Sequence, residues 1–316
     1  MKTLYWLAKR EFWEHRGGFF WAPIITGGIF LLMTVLTITA LEVFGLHNNV
    51  FHTGDWDFSN HVDTGATKDF GKFLDYMMCS SVVAIVGIMA IVIFFYCLGS
   101  LYDDRKDKSI LFWQSLPIAN WKTVTSKVAS AIFIAPAIAA VLGAITGIAL
   151  VLIAACVASF HGLSISAGLA DAHPVRLVTN IIGLIPLYAL CALPTIGWLM
   201  LCSAWARSKP FLWAFIIPLA TTFAVWWLHL LGMPGLDAQW FFSHITARVL
   251  FAVTPGNWTP FVDPIHTGSQ GDEMFQHLDL LRNYSALASG EMWLGAATGV
   301  AMLAGATWLR RWRDDS

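Results

Sequence analysis

Long runs of apolar residues alternate along this chain with short segments that carry most of its charge. Six of the runs are long enough for a helix to cross a bilayer core of about 30 Å, which takes about 20 residues. The pattern predicts an all-α polytopic membrane protein whose residues 1–316 form a single transmembrane domain. The six predicted spans cover about 19–44, 73–99, 127–158, 175–203, 211–231 and 290–309.

The composition agrees with residence in a lipid bilayer. Hydrophobic residues make up 57% of the chain and charged residues 12%, and the mean hydropathy is +0.64. Soluble domains carry about 25% charged residues. The composition therefore excludes a soluble domain, and we expect the lipid bilayer, and no nucleic acid, among the partners.

The basic residues predict an orientation in the membrane. If both termini lie on one side, that side holds 14 of the 19 Lys and Arg, with Lys127 counted at its edge. Because positive charge is retained in the cytoplasm, we expect a multi-pass protein of the cytoplasmic (inner) membrane with both termini cytoplasmic. The cytoplasmic segments are then 1–18, 100–126, 204–210 and 310–316, and the two long extracytoplasmic loops are 45–72 and 232–289.

The first residues alternate aromatic and charged positions, which favours an amphipathic helix lying in the cytoplasmic interface over residues 1–18. Its aromatic anchors would be Trp6, Phe12 and Trp13. The alternative is a basic N-terminus that docks on nothing.

Residues 239–254 are apolar but too short for an ordinary span, and they contain His244 and Arg248. A helix that dips partway into the outer leaflet fits this stretch better than a span does. The alternative is a small external helix packed on its own loop. In either case the outer loop before the last span is partly helical.

Small residues four positions apart mark faces where two membrane helices can approach closely. The third span has Gly143 and Gly147 at this spacing, and the sixth span has Gly295 and Gly299. We expect these four glycines to lie at helix contacts.

Motifs for chemistry are missing from the sequence. It contains no G-x-x-x-x-G-K-[ST], no H-E-x-x-H and no G-x-S-x-G, so we expect no nucleotide site, no catalytic residues and no metal in this chain. The alternative function is metal handling through histidines and acids of the two outer loops. These residues are His47, His52, Asp55, Asp57, His61, Asp63, His244, Asp263, His266, Asp272, Glu273 and His277.

A run of six charged residues, Asp103–Lys108, follows the second span and is expected to leave the membrane as a soluble turn. Ser109 then caps a short helix that Pro117 stops, and Asn120 can cap the next helix, which enters the third span. The helix exposes an apolar surface inside a ring of charge, which is the usual anatomy of a docking site for a protein partner. The alternative is a helix lying flat on lipid. The apolar residues are Leu111, Phe112, Trp113 and Leu116.

This segment resembles the first cytoplasmic loop of the type-two ATP-binding cassette (ABC) exporter permeases. The resemblance covers the charged cluster, the serine, an apolar pair, a Leu-Pro turn and a lysine opening the third span, and the turn Thr254–Trp258 resembles one in the same family. The matching positions are Asp104, Arg105, Lys108, Ser109, Ile110, Leu111, Leu116, Pro117, Ile118 and Lys127.

The resemblance implies a permease subunit that exports a hydrophobic or amphipathic cargo and is driven by a separate ABC ATPase. Two permeases, as a homodimer or a heterodimer, would combine with two ATPase copies, and ATP and Mg²⁺ would be bound by the ATPase rather than by this chain. The residues implied to dock the ATPase are Asp104, Arg105, Lys108, Ser109, Leu111, Phe112, Trp113, Leu116 and Pro117.

Overall fold

The computed structural model describes residues 2–48, 64–107, 119–160, 174–233, 237–262 and 279–313. These residues form helices and turns and include no β-strand, so the predicted all-α class is confirmed. The helices are α1 Lys2–Glu14, α2 Ala22–Asn48, α3 Thr64–Lys106, α4 Asn120–Ala129, α5 Ala135–Phe160, α6 Pro174–Trp205, α7 Pro210–Leu230, α8 Ala238–Phe241, α9 Ala247–Phe251, α10 Leu280–Tyr284 and α11 Gly290–Arg313.

Short segments of other helical types join some of these helices. Three π-helical turns connect α1 to α2, α4 to α5 and α8 to α9, and two 3₁₀ turns flank α10 in the chain. The π turns are Gly17–Trp21, Ser130–Ile134 and Phe242–Thr246, and the 3₁₀ turns are Thr259–Phe261 and Ser285–Ala288.

Six helices of the described chain are long and apolar enough to cross a membrane, which confirms the predicted number of spans. Only helices satisfy all their backbone hydrogen bonds within one segment in lipid, so an apolar run of this length has few alternatives. The spans are Gly17–Ala40, Leu74–Lys106, Trp121–Val157, Pro174–Trp205, Pro210–Leu230 and Gly290–Arg310.

Helices α3, α5, α6 and α11 hold most of the core, and α6 contacts all three of the others. Its side chains Leu187, Ile196 and Leu199 are fully enclosed. Helix α7 lies at the edge, where only Ala214 and Pro218 are buried. The exposed apolar faces of α2 and α7 are the surfaces that lipid covers in a membrane protein.

Glycine permits close approach between α6 and α11. A Cβ built on Gly299 would overlap the backbone of Leu193 and Pro194, and one on Gly197 would overlap the backbone of Gly299. At the contact of α3 with α5, a Cβ on Gly147 would meet the Met78 side chain. Of the other two glycines that were predicted to lie at helix contacts, Gly143 lies against Val82 and Gly295 lies against the guanidinium of Arg248.

Residues 238–251 form one continuous helical segment that enters the bundle beside α6 and α7. Thr246 near its middle is buried and hydrogen-bonded to Thr222, eight residues before the end of α7. At 1.5 Å per residue, this places the contact about 12 Å along α7 from its C-terminal end. The segment therefore reaches partway into the bundle, and we call residues 238–251 the re-entrant segment.

Two local expectations differ from the structure. Asp103–Lys106 were expected in a soluble turn, but α3 remains helical through Lys106. Arg105 and Lys106 suit the negative end of the helix dipole, and Arg105 also binds carbonyls of α6. Helix α4 begins at Asn120 with Ala119 as its N-cap, so Asn120 is its first helical residue and not its cap.

Candidate functional site

The first and the last described helices meet at one end of the bundle, which we call the terminal face. Helix α1, the last turns of α3, helix α4 and the end of α11 come together there. Five polar side chains join these helices, and four of them carry formal charges that sum to zero. We call them the terminal cluster: Glu11, Tyr96, Asp104, Lys127 and Arg310.

Lys127 lies at the centre of the cluster, with only 4% of its side chain exposed. Its Nζ is 3.2 Å from one carboxylate oxygen of Glu11 and 3.5 Å from Asp104. Burying an ammonium costs several kcal/mol unless opposite charges surround it. The two carboxylates offset that cost and tie α4 to both α1 and α3.

Asp104 also bridges to the last helix. Its second carboxylate oxygen is 3.5 Å from Nη2 of Arg310, whose side chain is 4% exposed. The Nε and Nη1 atoms of Arg310 are buried and have no hydrogen-bond partner among the described residues. Unmet buried donors destabilise the arrangement in which they occur, so Arg310 gains from any movement that brings it a second acceptor.

Tyr96 extends the cluster toward the core. Its hydroxyl donates to Glu11 at 3.0 Å, and its ring packs edge-on against Phe19 and His15. The His15 ring nitrogen is 4.0 Å from the Glu11 carboxylate. Burial lowers the pKa of His15 from its ordinary value of 6.5, and Glu11 opposes that shift.

Beside the cluster, side chains bind the end of α3 to the end of α6. Nη2 of Arg105 donates to the carbonyl oxygens of Ser203 and Ala206, two acceptors at the end of a helix. The buried Ser203 hydroxyl accepts from the backbone N–H groups of Leu101 and Tyr102 at 3.1 and 2.9 Å. The end of α3 is therefore bound both to the terminal cluster and to α6.

The arrangement suits mechanical connection better than catalysis. Each acid of the terminal cluster lies within 4 Å of a base, and every member except Asp104 is almost fully enclosed. The cluster flanks residues 108–118 on both sides in the chain, through Asp104 before them and Lys127 after them. A displacement of those residues acts directly on α3 and α4, and through the ion pairs on α1 and α11.

The predicted docking residues divide between described and undescribed parts of the chain. Asp104 belongs to the terminal cluster, and Arg105 binds the end of α6. The other seven lie outside the described residues: Lys108, Ser109, Leu111, Phe112, Trp113, Leu116 and Pro117.

The aromatic residues of the first helix point in different directions. Trp6 and Trp13 are exposed, at 61% and 57%, and Lys9 lies over the ring of Trp6. Phe12 is half-buried and packs against the main core. The helix thus docks on the bundle by one face and leaves two tryptophans on its outer side.

Sequence reasoning missed the burial of Glu11 and Arg310 and treated Lys127 only as the start of a span. A signal for Glu11 was present, since it follows Leu4 and Leu7 at helical spacing and thus shares their apolar face. Lys127 likewise follows Val124 by three positions. A charge on the buried face of an amphipathic helix calls for an opposite charge on the element it packs against.

Metal binding gains no support from the part of the chain that the structure describes, where no group of three or more His, Cys, Asp or Glu could hold an ion. Among the outer-loop candidates, His244 stacks on Trp240 and lies 4.0 Å from the Glu291 carboxylate. His47 lies at the end of α2, and the remaining outer-loop ligands lie outside the described residues.

No family model, no curated protein and no solved structure matches this chain. The functional argument therefore depends on the sequence pattern, the six spans and the geometry of the terminal face.

Proposed function

We propose that this chain is the permease subunit of an ATP-driven exporter, that a separate ABC ATPase docks on residues 108–118, which hold most of the 103–117 loop, and that the cargo is hydrophobic or amphipathic. In this proposal the terminal face is cytoplasmic, the membrane is the cytoplasmic membrane, and two permeases work with two ATPases. ATP and Mg²⁺ bind to the ATPase.

One observation supports this function above others: the buried ion pairs connect both flanks of the proposed docking segment to distant parts of the bundle. Asp104 lies four residues before that segment and pairs with Arg310 on the last span. Lys127 lies nine residues after it and pairs with Glu11 on α1. A subunit that receives force from a partner needs such connections.

The resemblance of the 104–118 sequence to permease loops agrees with this geometry. The apolar side chains Phe112 and Trp113 follow directly on a charged helix end, and aromatic anchors with charges at their rim are typical of protein interfaces. The sequence also lacks a P-loop, which is expected of a subunit whose partner hydrolyses the nucleotide.

We expect the reading frame beside this chain to encode an ABC ATPase, and the test is co-expression with that ATPase, followed by co-purification and ATPase assays in lipid nanodiscs. We expect the wild-type chain to retain the ATPase and stimulate it. Phe112→Asp and Trp113→Asp should each reduce retention and stimulation at least tenfold, since interface anchors carry about 2 kcal/mol or more.

Trp121→Asp provides the matched control. Trp121 is an exposed tryptophan at the start of α4, just beyond the proposed docking segment. This variant should insert, purify and stimulate within about twofold of the wild type. Unchanged stimulation in Phe112→Asp and Trp113→Asp, or a chain that never retains the ATPase, would show that the docking function is wrongly assigned.

A further inference from the structure

At the end of the bundle opposite the terminal face, α7 and the start of the re-entrant segment enclose an open cavity of about 630 Å³. This volume lies within the range of about 300–1,000 Å³ that is typical of small-molecule sites. No residue of the terminal cluster is among the described residues that line it. The cavity is lined by Leu219, Thr222, Phe223, Trp226, His229, Asp237, Ala238, Gln239 and Phe242.

The lining changes character along α7. From Leu219 to His229 the wall is ten residues long, or about 15 Å, which is half the thickness of a bilayer core. Leu219 and Phe223 line the part deeper in the span, and His229 lies next to the last residue of α7. Asp237 and Gln239, at the start of the re-entrant segment, add polar groups at the same end.

A polar contact joins α7 to the re-entrant segment beside the deeper part of the cavity. The hydroxyl of Thr222 on α7 is hydrogen-bonded to that of Thr246 on the re-entrant segment. The Thr222 hydroxyl also donates to the carbonyl oxygen of Pro218, so both hydroxyl protons are in use and this part of the cavity offers little to a polar ligand. The rings of Phe223 and Phe242 line the cavity and offer an apolar surface to a chain.

Charge at the mouth is one-sided. Asp237 is exposed and supplies the only carboxylate among the described residues that line the cavity, and these include no Lys or Arg. One oxygen of this carboxylate caps the re-entrant segment by accepting from the N–H groups of Gln239 and Trp240. Trp226 lines the same cavity, and aromatic rings attract cations.

We propose that this cavity binds an amphiphile with an apolar chain and an amine-bearing, positively charged headgroup. The chain lies along Leu219, Phe223 and Phe242, and the ammonium group lies between Asp237 and Trp226. The complementary charge favours a cationic headgroup over a neutral or an anionic one.

This site extends the proposed function, because an amphiphile bound at the outer half of a permease is a candidate cargo. The binding itself needs no ATPase and no nucleotide, and it is measured on the purified chain alone. Loss of ATPase docking with binding retained would remove the cargo interpretation only, and loss of binding with docking retained would remove the site only.

The experiment uses three photoreactive probes with the same diazirine-bearing C12 chain, which end in an amine, an alcohol or a carboxylate. The full chain is reconstituted in nanodiscs of a zwitterionic lipid, labelled, digested and mapped by mass spectrometry. We expect the amine probe to label residues 219–242 about fivefold more than the alcohol probe, the ratio that an ion pair at a partly exposed site provides. The carboxylate probe should label least.

Asp237→Asn should remove the preference of the amine over the alcohol, and because Asn caps a helix as well as Asp does, the fold at this point is retained. Asp237→Glu should keep the preference in part. Trp226→Ala should reduce labelling by the amine, while Trp227→Ala, an equally exposed neighbour outside the cavity, should leave it unchanged.

Equal labelling by amine and alcohol would identify the cavity as an ordinary lipid groove and overturn the proposal. The proposal would also fail if the amine preference survived in Asp237→Asn, or if labelling fell outside residues 219–242. Crosslinks between two copies of the chain through Phe223 or Trp226 would show instead that α7 is an interface between copies.

Discussion

Lys127→Met tests whether the terminal cluster stabilises the bundle through charge. Met fills nearly the same space as Lys, so packing changes little and the two carboxylates lose their shared ammonium. At an effective dielectric constant of about 20, ion pairs at 3.2 and 3.5 Å are each worth about 5 kcal/mol before desolvation is subtracted. Desolvation offsets much of this, and removing one partner of a buried pair typically costs about 3–5 kcal/mol net.

The structure indicates where that loss falls. Asp104 keeps Arg310 after the change, whereas Glu11 keeps only the Tyr96 hydroxyl and the distant His15. The expected decrease in the free energy of unfolding is therefore about 3–4 kcal/mol, the lower part of the range for a broken buried ion pair.

The assay is equilibrium unfolding in detergent micelles by SDS titration, followed by tryptophan fluorescence, with Glu11→Gln, Lys127→Met and the double variant in one cycle. Because Glu11→Gln removes the orphaned charge, the double variant should recover about 1.5 kcal/mol or more relative to the sum of the single changes. A loss below about 1 kcal/mol for Lys127→Met, or additivity within about 0.5 kcal/mol, would refute the electrostatic reasoning.

Two further predictions concern the packing and the pH response. Gly299→Ala should lower the free energy of unfolding by about 1–3 kcal/mol, because the added Cβ meets the backbone of Leu193 and Pro194. Gly28→Ala is the control: nothing lies within 4 Å of its added Cβ, so it should be neutral or raise the free energy of unfolding by about 0.5–1 kcal/mol. Equal effects of the two changes in SDS titration would contradict the close approach of α6 and α11. Burial lowers the pKa of His15 in the folded chain below its ordinary value of 6.5. The unfolded chain therefore binds a proton at His15 more readily than the folded chain does. The free energy of unfolding should fall as the pH decreases from about 6.5 through the lower folded-state pKa. His15→Gln should flatten that part of the thermal-unfolding profile between pH 7 and 5, and an unchanged slope would exclude His15 as its source.

The class of fold and the number of spans could be predicted from the sequence because lipid leaves a long apolar run one option, a helix that satisfies its own backbone. The end of α3 could not be predicted in the same way. Charged residues at 103–106 read as a turn when each is considered alone, but partners distant in sequence hold them in a helix. Arg310 binds Asp104 and the end of α6 binds Arg105.

Only part of the terminal cluster could be predicted from the sequence. Helical spacing places Glu11 on the apolar face of α1, and this indicates a buried acid that needs a base. The basic residue that pairs with Glu11 is decided by how the helices pack, and this partner, Lys127, is 116 residues away in the sequence. Arg310 is similar: the pattern of basic residues places it in the cytoplasmic segment 310–316, whereas its side chain is buried.

Helix α6 connects the two faces that carry the proposals. Near its end, the Ser203 hydroxyl accepts two backbone N–H groups of α3. Eight residues earlier, about 12 Å along the helix, the buried Thr195 hydroxyl donates to the carbonyl of Arg248 and accepts from the N–H of Ala252, at the end of the re-entrant segment. Under the proposed function, force applied at residues 108–118 reaches α6 through α3. The re-entrant segment, one wall of the amphiphile cavity, rests on that same helix, so docking at one face and the shape of the cavity at the other are coupled through α6.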